Sequence, residues 1–201
     1  MKRRLAGPAL AILCAVLAYE LGLSLLPRLI MNATMHGIVR RAGDWNSIYH
    51  APRASASDRR MVMPSPDMLY SACPYDLKAG PLQVLAQVPL GVYWSLSAYD
   101  DENGNYYAVN DLQATGRVAF VVLPEASPTQ AFEASGARVL HSPSRRGVVL
   151  LRTLSDPRES GAETLEVLRR ESSCRTLPAQ SAGSNDTGRY NAAPSGVLRR
   201  A

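Results

Sequence analysis

The sequence predicts a mainly β protein: an antiparallel sandwich or barrel with one C-terminal helix, preceded by an N-terminal transmembrane helix. Two observations support this fold class. Between residues 68 and 154, short apolar or alternating runs are separated by turn residues, which is typical of an all-β domain. The first 26 residues carry a basic cluster followed by a long apolar run, which is typical of a membrane segment.

The N-terminal segment is predicted to span a membrane. Lys2, Arg3 and Arg4 precede an apolar run over residues 5–26. At 1.5 Å per residue, this run can cross a hydrocarbon core of about 30 Å. Because positive residues stay on the cytoplasmic side, we expect a single-pass protein of a bacterial inner membrane, with a cytoplasmic N-terminus and a periplasmic main domain. A signal peptide that is cleaved after Ala18 is the alternative.

Four segments are expected along the chain. Residues 1–26 form the anchor, 27–63 a juxtamembrane connector, 64–174 the β-rich domain and 175–201 a disordered tail with almost nothing to bury. The formal net charge is +5, but residues 1–4 and the tail each carry +3, which leaves −1 for residues 5–174. A domain near neutrality offers no basic surface to a phosphate backbone, so nucleic-acid binding is not expected.

Seven strands are predicted, at residues 68–75, 82–88, 93–99, 106–109, 118–123, 138–141 and 148–154. In the third strand Trp94, Leu96 and Ala98 share one face, which favours a half-buried antiparallel strand. A helix follows the seventh strand. Its predicted cap is Asp156, with Pro157 at the first helical position, and we expect it to end near Cys174.

Residues 64–71, with the sequence Pro-Ser-Pro-Asp-Met-Leu-Tyr-Ser, resemble the signature of the bacterial domain of unknown function 1254 family. Further matches follow in order over roughly residues 44–174, namely Asn46, His50-Ala51-Pro52, Asp76-Leu77, Gly80-Pro81, Pro89, Tyr93-Trp94-Ser95, Asn110-Asp111 and Arg152-Thr153-Leu154. The resemblance implies a short, membrane-anchored member with a β-rich fold in the cell envelope, and it implies no established reaction. Larger relatives carry a second domain, numbered 1214, and this sequence stops where that domain would begin.

The densest group of polar residues is Asp67, Tyr70, Ser71 and Asp76 near the first strand, with Arg152 on the last. Arg152 is the only charge within residues 148–154, and a charge in an apolar strand needs a partner if it is buried. We therefore expect a structural ion pair between Asp67 and Arg152. A ligand-binding cleft formed by the same residues is the alternative.

The sequence offers little support for a metal site or a cofactor site. His36, His50 and His141 lie far apart and without metal-ligand spacing, so no metal site is expected. Residues 100–105 are interpreted as a solvated hairpin turn rather than a calcium loop. No cofactor-binding fingerprint occurs, so no cofactor is expected. Because Cys73 and Cys174 would both lie in an oxidising compartment, we expect them to form a disulfide.

These observations favour a non-enzymatic envelope protein with a periplasmic domain that binds a partner or a small ligand. An envelope hydrolase with a site near Asp67, Tyr70 and Arg152 is the alternative hypothesis. The expected partner, besides the inner membrane, is a separate anchored chain that resembles the 1214-type domain. Its contact surface would be the strand at residues 93–99 or the connector at residues 44–53.

Overall fold

All seven predicted strands are present in the computed structural model, which describes residues 2–55, 65–129, 132, 137–156, 158 and 161–178. The elements are α1 (Lys2–Ala42), β1 (Tyr49–His50), β2 (Met68–Asp76), β3 (Leu82–Gln87), β4 (Trp94–Tyr99), β5 (Asn105–Asn110), β6 (Arg117–Pro124), β7 (Val139–Ser142), β8 (Arg146–Leu154), α2 (Ala162–Arg170) and β9 (Ser173–Thr176). This arrangement confirms the mainly β prediction, with a long apolar helix before the strands and the short helix α2 between β8 and β9.

The strands form two sheets that pack face to face. The first sheet has the order β1-β2-β8-β4-β5, and its neighbouring strands are all antiparallel. The second sheet has the order β7-β6-β3-β9 and contains one parallel pair, β6 with β7. A parallel pair needs a crossover connection of a dozen or more residues, and residues 125–138 separate these two strands in the sequence.

The core lies between the sheets. Trp94, Leu96 and Ala98 of β4 point inward as their alternation predicts, and they pack with Phe120 and Tyr75. Ser95 and Ser97, on the other face of β4, are also buried, so this central strand is not half-exposed. We call the face of the first sheet that carries Ser95 its outer face, because it points away from the second sheet.

The helix α1 is continuous across Pro27, although the predicted anchor ends at residue 26. Its last part lies on the outer face, where Met31 and Met35 are buried against Ala72 and Val148. The helix ends at Ala42, and the next residue, Gly43, has a positive φ of 94°, which suits the residue that follows a helix terminus.

The C-terminal segment differs from expectation in two ways. The helix α2 begins at Ala162, later than predicted, and it ends at Arg170 rather than near Cys174. The chain then forms β9, which pairs with β3, and Leu177 beyond it is buried. Ordered structure thus continues past residue 174, because β3 offers an edge that this short segment completes. The remaining predicted tail, residues 179–201, lies outside the described residues, as does Pro157, the predicted first residue of the helix.

Candidate functional site

The five polar residues that the sequence grouped together are separated by the alternation of β2. Tyr70 and Asp76 point to the outer face, whereas Ser71 points toward the second sheet. Tyr70 and Asp76 are six residues apart, which in a strand is about 20 Å. The residues therefore lie in three separate environments rather than around one cleft.

The first environment is a row across the outer face. Tyr70 lies opposite Arg152 on β8, and Arg152 lies opposite Ser95 on β4. The Arg152 Nε donates a hydrogen bond of 3.0 Å to the Ser95 Oγ. The Tyr70 hydroxyl accepts a hydrogen bond from the backbone N–H of Ser65. Arg152 is half-buried, so part of this residue is open to solvent.

The expected ion pair between Asp67 and Arg152 is not formed within the described part of the chain. Met68 lies opposite Leu154, so Asp67 extends beyond the level of Arg152 by three residues, or about 10 Å. The backbone carbonyl of Asp67 instead accepts a hydrogen bond of 2.8 Å from the N–H of Ser155. This backbone hydrogen bond fixes the end of β8. Arg152 forms its hydrogen bond with Ser95 and not with Asp67.

Asp76 forms the second environment, at the end of β2. Its carboxylate accepts hydrogen bonds of 2.9 and 3.0 Å from Arg145 and of 2.8 Å from Arg146. Burial acts to raise the pKa of Asp76, but the N–H of Lys78 and the two arginines outweigh it and hold that pKa below its ordinary value. The Asp76 carboxylate is therefore ionised and serves structure.

The end of β2 at Asp76 is also where the connector is attached to the first sheet. The Asn46 side chain accepts from the Asp76 N–H at 2.9 Å and donates to the Asp76 carbonyl at 3.1 Å and to Thr176 Oγ1 at 2.7 Å. The Arg146 guanidinium lies 4.6 Å from the centroid of the Trp45 ring, close enough for a cation–π contact. The connector segment at residues 44–46 is thus part of the domain.

The third environment surrounds Ser71. The Ser71 Oγ lies 2.8 Å from Nδ1 of His50 and 3.4 Å from Nη1 of Arg169. Burial lowers the pKa of His50, and the positive charges of Arg169 and Arg170 lower it further. His50 is therefore neutral at pH 7, and one of its ring nitrogens exchanges a hydrogen bond with the serine.

Arg169 is buried, with 3% of its surface exposed, and every part of its guanidinium is occupied. It donates to the carbonyl of Tyr70 at 2.7 Å and to the carbonyl of Ala51 at 2.8 Å. It also forms two hydrogen bonds of 2.7 Å with the Glu166 carboxylate. Burial acts to raise the pKa of Glu166, but Arg169 and Arg170 hold it below its ordinary value. These contacts fix the C-terminal end of α2 to β2 and to Ala51, the residue that follows β1.

A pair formed by a serine and a histidine at 2.8 Å has the spacing of a nucleophile and its base. Ser71, however, is only 2% exposed, and its hydroxyl already lies between two donors or acceptors of the protein. Within the described ranges, no group of three or more His, Cys, Asp or Glu side chains could hold a metal ion. The Asp100 carboxylate in the β4–β5 turn accepts from the N–H groups of Glu102 and Gly104, so it stabilises a hairpin turn.

Cys73 on β2 and Cys174 on β9 form a disulfide that joins the two sheets, with their Cα atoms 6.5 Å apart. Cys73 points inward from β2, as Ser71 does, so the disulfide and the Ser71 environment share one face of this strand. Cys14, the remaining cysteine, is exposed on α1. The disulfide is a covalent tie across the sandwich.

Sequence reasoning missed the contacts of His50, Arg169 and Asn46. A signal for Arg169 exists, because it lies seven residues after Ala162 and therefore on the apolar face of α2. A charge on the apolar side of a helix has to be paired when that side is buried. His50 and Asn46 stand within the lead-in that resembles the family, but nothing in the sequence specifies their partners.

A family model described as "Protein of unknown function (DUF1254)" matches residues 45–176. The structure is similar to the VPA0106 protein of Vibrio parahaemolyticus, with a TM-score of 0.57 and 20% sequence identity, covering 80% of this chain and 37% of that one. It also matches an uncharacterized protein of Burkholderia cenocepacia, with a TM-score of 0.46 and 18% identity, over 82% of this chain and 43% of that one. No curated protein matches. The chain thus spans about two fifths of the length of these solved relatives, and the likeness concerns the fold alone.

Proposed function

Since the chain belongs to the family described as Protein of unknown function (DUF1254), whose description names no reaction, we propose its role from its own geometry. The protein is a single-pass protein of the bacterial inner membrane, and its sandwich domain binds a protein partner on the periplasmic side. One observation carries this proposal. The last part of α1 packs against the first sheet toward one end of the sandwich, and large apolar side chains are exposed toward the other end.

The membrane part of the proposal depends on α1. Within α1, Ala9–Ala42 has a mean hydropathy of 2.2 in its most apolar window, and large apolar side chains from Leu10 to Ile30 are exposed. A helix of about 20 apolar residues spans a bilayer, so α1 is long enough to cross and to continue beyond it. The basic residues 2–4 orient its N-terminus toward the cytoplasm.

The partner part of the proposal depends on the free end of the sandwich, where β4 begins and β8 ends. Leu112 in the β5–β6 turn is 89% exposed and Leu90 before β4 is 73% exposed. Tyr93 and Leu154 are also exposed, and they are adjacent because the N–H of Leu154 donates to the Tyr93 carbonyl. Exposed apolar side chains that cluster on a folded domain are typical of protein interaction sites.

The partner that we propose is a separate chain in the same membrane that resembles the 1214-type domain. Confinement of two proteins to one bilayer raises their effective concentration, much as a linker does. The two surfaces suggested by the sequence are largely engaged within the fold. The strand at residues 93–99 lies inside the first sheet, and residues 44–46 are fastened to Asp76. The free end is therefore the better candidate surface.

Photo-crosslinking in intact cells tests the proposal. A photoreactive side chain at Leu112 should capture a membrane protein of constant mass, and a second one at Leu90 should capture the same protein. Lys78, exposed at the opposite end of the sandwich, provides the control position and should not capture it. Leu112→Asp should abolish the capture from position 90. Recovery of only uncrosslinked protein or a self-dimer from both positions would contradict the proposal.

The alternative function, an envelope hydrolase, is favoured by one observation, the 2.8 Å contact between Ser71 and His50. Asp67, Tyr70 and Arg152 do not support it, because they do not converge. A fluorophosphonate probe applied to the membrane-bound protein tests this alternative. Labelling that disappears in Ser71→Ala but persists in Ser97→Ala would establish a reactive serine, and absence of labelling would exclude Ser71 as an open nucleophile.

A further inference from the structure

A groove lies where α1 meets the tip of the β4–β5 hairpin. Its volume is about 600 Å³, and it is lined mainly by apolar residues of α1 between Ala18 and Thr34. Asn103, at the hairpin tip, provides the wall that belongs to the domain. A Cβ atom built on Gly22 would meet nothing within 4 Å, so the groove is open along this side of the helix.

The position of the groove relative to a bilayer follows from the helix and the hairpin together. An apolar run that begins at Leu5 crosses a hydrocarbon core of about 30 Å in about 20 residues, so it leaves the core near Ser24. The hairpin tip carries Asp101, Glu102 and Asn103, which belong among lipid headgroups rather than acyl chains. The groove therefore extends from the acyl-chain region into the headgroup region.

The charges beside the groove favour one class of headgroup. Arg28 donates from its Nε to the Glu102 carboxylate at 2.9 Å. The Asp100 carboxylate accepts hydrogen bonds from backbone N–H groups, whereas the charge of Asp101 acts on Arg28. Asp100, Asp101 and Glu102 of the hairpin, together with Arg28 of α1, sum to a charge of −2. Such a surface attracts an ammonium group and repels a headgroup with a net negative charge.

We propose that this groove holds one phospholipid of the surrounding bilayer with an ethanolamine headgroup. One acyl chain lies along Gly22, Leu23 and Leu26. The ammonium group lies at Asp101 and Glu102, and the phosphate lies toward Arg28. The inference rests on the proposed function in one respect, namely that α1 crosses the membrane.

Two substitutions test the two halves of the site. Gly22→Leu fills the groove without meeting another protein atom, since the space around this residue is empty. Asp101→Asn removes the charge that the ammonium group would meet. Ser24→Leu is the matched control, because Ser24 is exposed on the same turn of α1 and does not line the groove.

The full-length protein is purified from nanodiscs that contain equal amounts of phosphatidylethanolamine and phosphatidylglycerol, and retained lipid is counted by native mass spectrometry. We expect one retained lipid, enriched in phosphatidylethanolamine by about two- to fivefold, which is the discrimination that one partly exposed ion pair provides. Asp101→Asn should abolish the enrichment, Gly22→Leu should abolish retention and Ser24→Leu should change neither.

Equal retention of the two lipids, or unchanged retention in Gly22→Leu, would overturn the inference. Alkaline carbonate extraction of native membranes separates this failure from a failure of the proposed function. Protein that stays in the membrane pellet but shows no lipid selectivity loses only the lipid site. Protein that is released by carbonate contradicts the membrane anchor itself.

Discussion

The region around Arg169 and the region around Arg152 both place a guanidinium group against the first sheet, and they satisfy it in opposite ways. Arg169 is 3% exposed and meets one carboxylate and two backbone carbonyls. Arg152 is half-buried and donates a hydrogen bond to one serine hydroxyl. Of the two guanidinium groups, the more deeply buried one has lost more of its hydration, and it has more hydrogen-bond partners in the protein.

This difference separates two kinds of arginine. A buried charge has lost its hydration, so removal of one partner leaves the others unpaired in a medium of low polarity. A half-exposed charge keeps water as a partner, and its loss costs mainly the hydrogen bond that it made. The Arg169 region should therefore determine whether the domain folds, whereas the Arg152 region should adjust its stability only slightly.

The largest effect is expected for Arg169→Ala. It leaves the Glu166 carboxylate and the carbonyls of Tyr70 and Ala51 without their donor, so the free energy of unfolding should fall by about 3–5 kcal/mol. Urea unfolding followed by tryptophan fluorescence measures this change. Arg170→Ala is the matched control, since Arg170 pairs with the same carboxylate but is exposed, and it should cost about 0.5 kcal/mol. Equal effects of the two substitutions would remove the distinction between buried and exposed arginines.

The second effect concerns the covalent tie beside the Arg169 region. Replacing both Cys73 and Cys174 by Ala opens a loop with a sequence separation of 101 residues, and we expect a loss of about 2–5 kcal/mol in the free energy of unfolding. The same urea titration, repeated with and without dithiothreitol, provides the measurement. Reductant should lower the midpoint of the wild type and leave the double variant unchanged. A reductant-insensitive wild type would show that the tie contributes nothing.

The third prediction uses pH to perturb the Arg169 region without removing it. The pKa of His50 is lowered in the folded state by burial and by Arg169 and Arg170, with Glu166 opposing them. The unfolded chain therefore binds a proton more readily, so stability is complete above about pH 6.5 and falls as the pH drops through the lower pKa of the folded state. Thermal unfolding between pH 7.5 and 5 should show this decline in the wild type. His50→Asn should reduce the slope, and an unchanged slope would refute the role of His50.

The smallest effect is expected for Arg152→Ala. Loss of its hydrogen bond to the buried Ser95 should lower the free energy of unfolding by about 1 kcal/mol. A double-mutant cycle with Ser95→Ala measures how much of this change belongs to the pair. A loss as large as that of Arg169→Ala would show that Arg152 has a further partner and would end the comparison.

The strands could be predicted because their information is local. Apolar alternation and turn residues mark β2 to β8 within one or two residues of their observed bounds. The strands β1 and β9 have two and four residues, too few for a pattern, and they exist because the edges of β2 and β3 accept them. A short edge strand of this kind is specified by its partner rather than by its own residues.

The candidate site could be predicted only in part, for a related reason. Arg152 stands out because it interrupts an apolar run, yet the register of β2 against β8 keeps Asp67 beyond its reach. Arg169 stands among other arginines and a glutamate on a short helix, where charges are common. Its burial depends on the position of the end of α2 beside Tyr70 and Ala51, which is set by tertiary packing and not by local sequence. Charge in a strand is therefore an incomplete guide to which charge is buried.

Because α1 is one continuous helix through Pro27, the proposed membrane span and the sandwich are coupled in their orientation. In the proposed arrangement, α1 leaves the membrane as an unbroken helix and packs against the first sheet through Met31 and Met35. A helix that tilts to match a thinner bilayer must then turn the whole domain by the same angle. The strands of the domain reach about 30 Å from the joint, so a tilt of about 20° displaces the far loops by about 10 Å. In the proposed arrangement, the thickness of the membrane therefore changes the position of the loops at the far end of the sandwich.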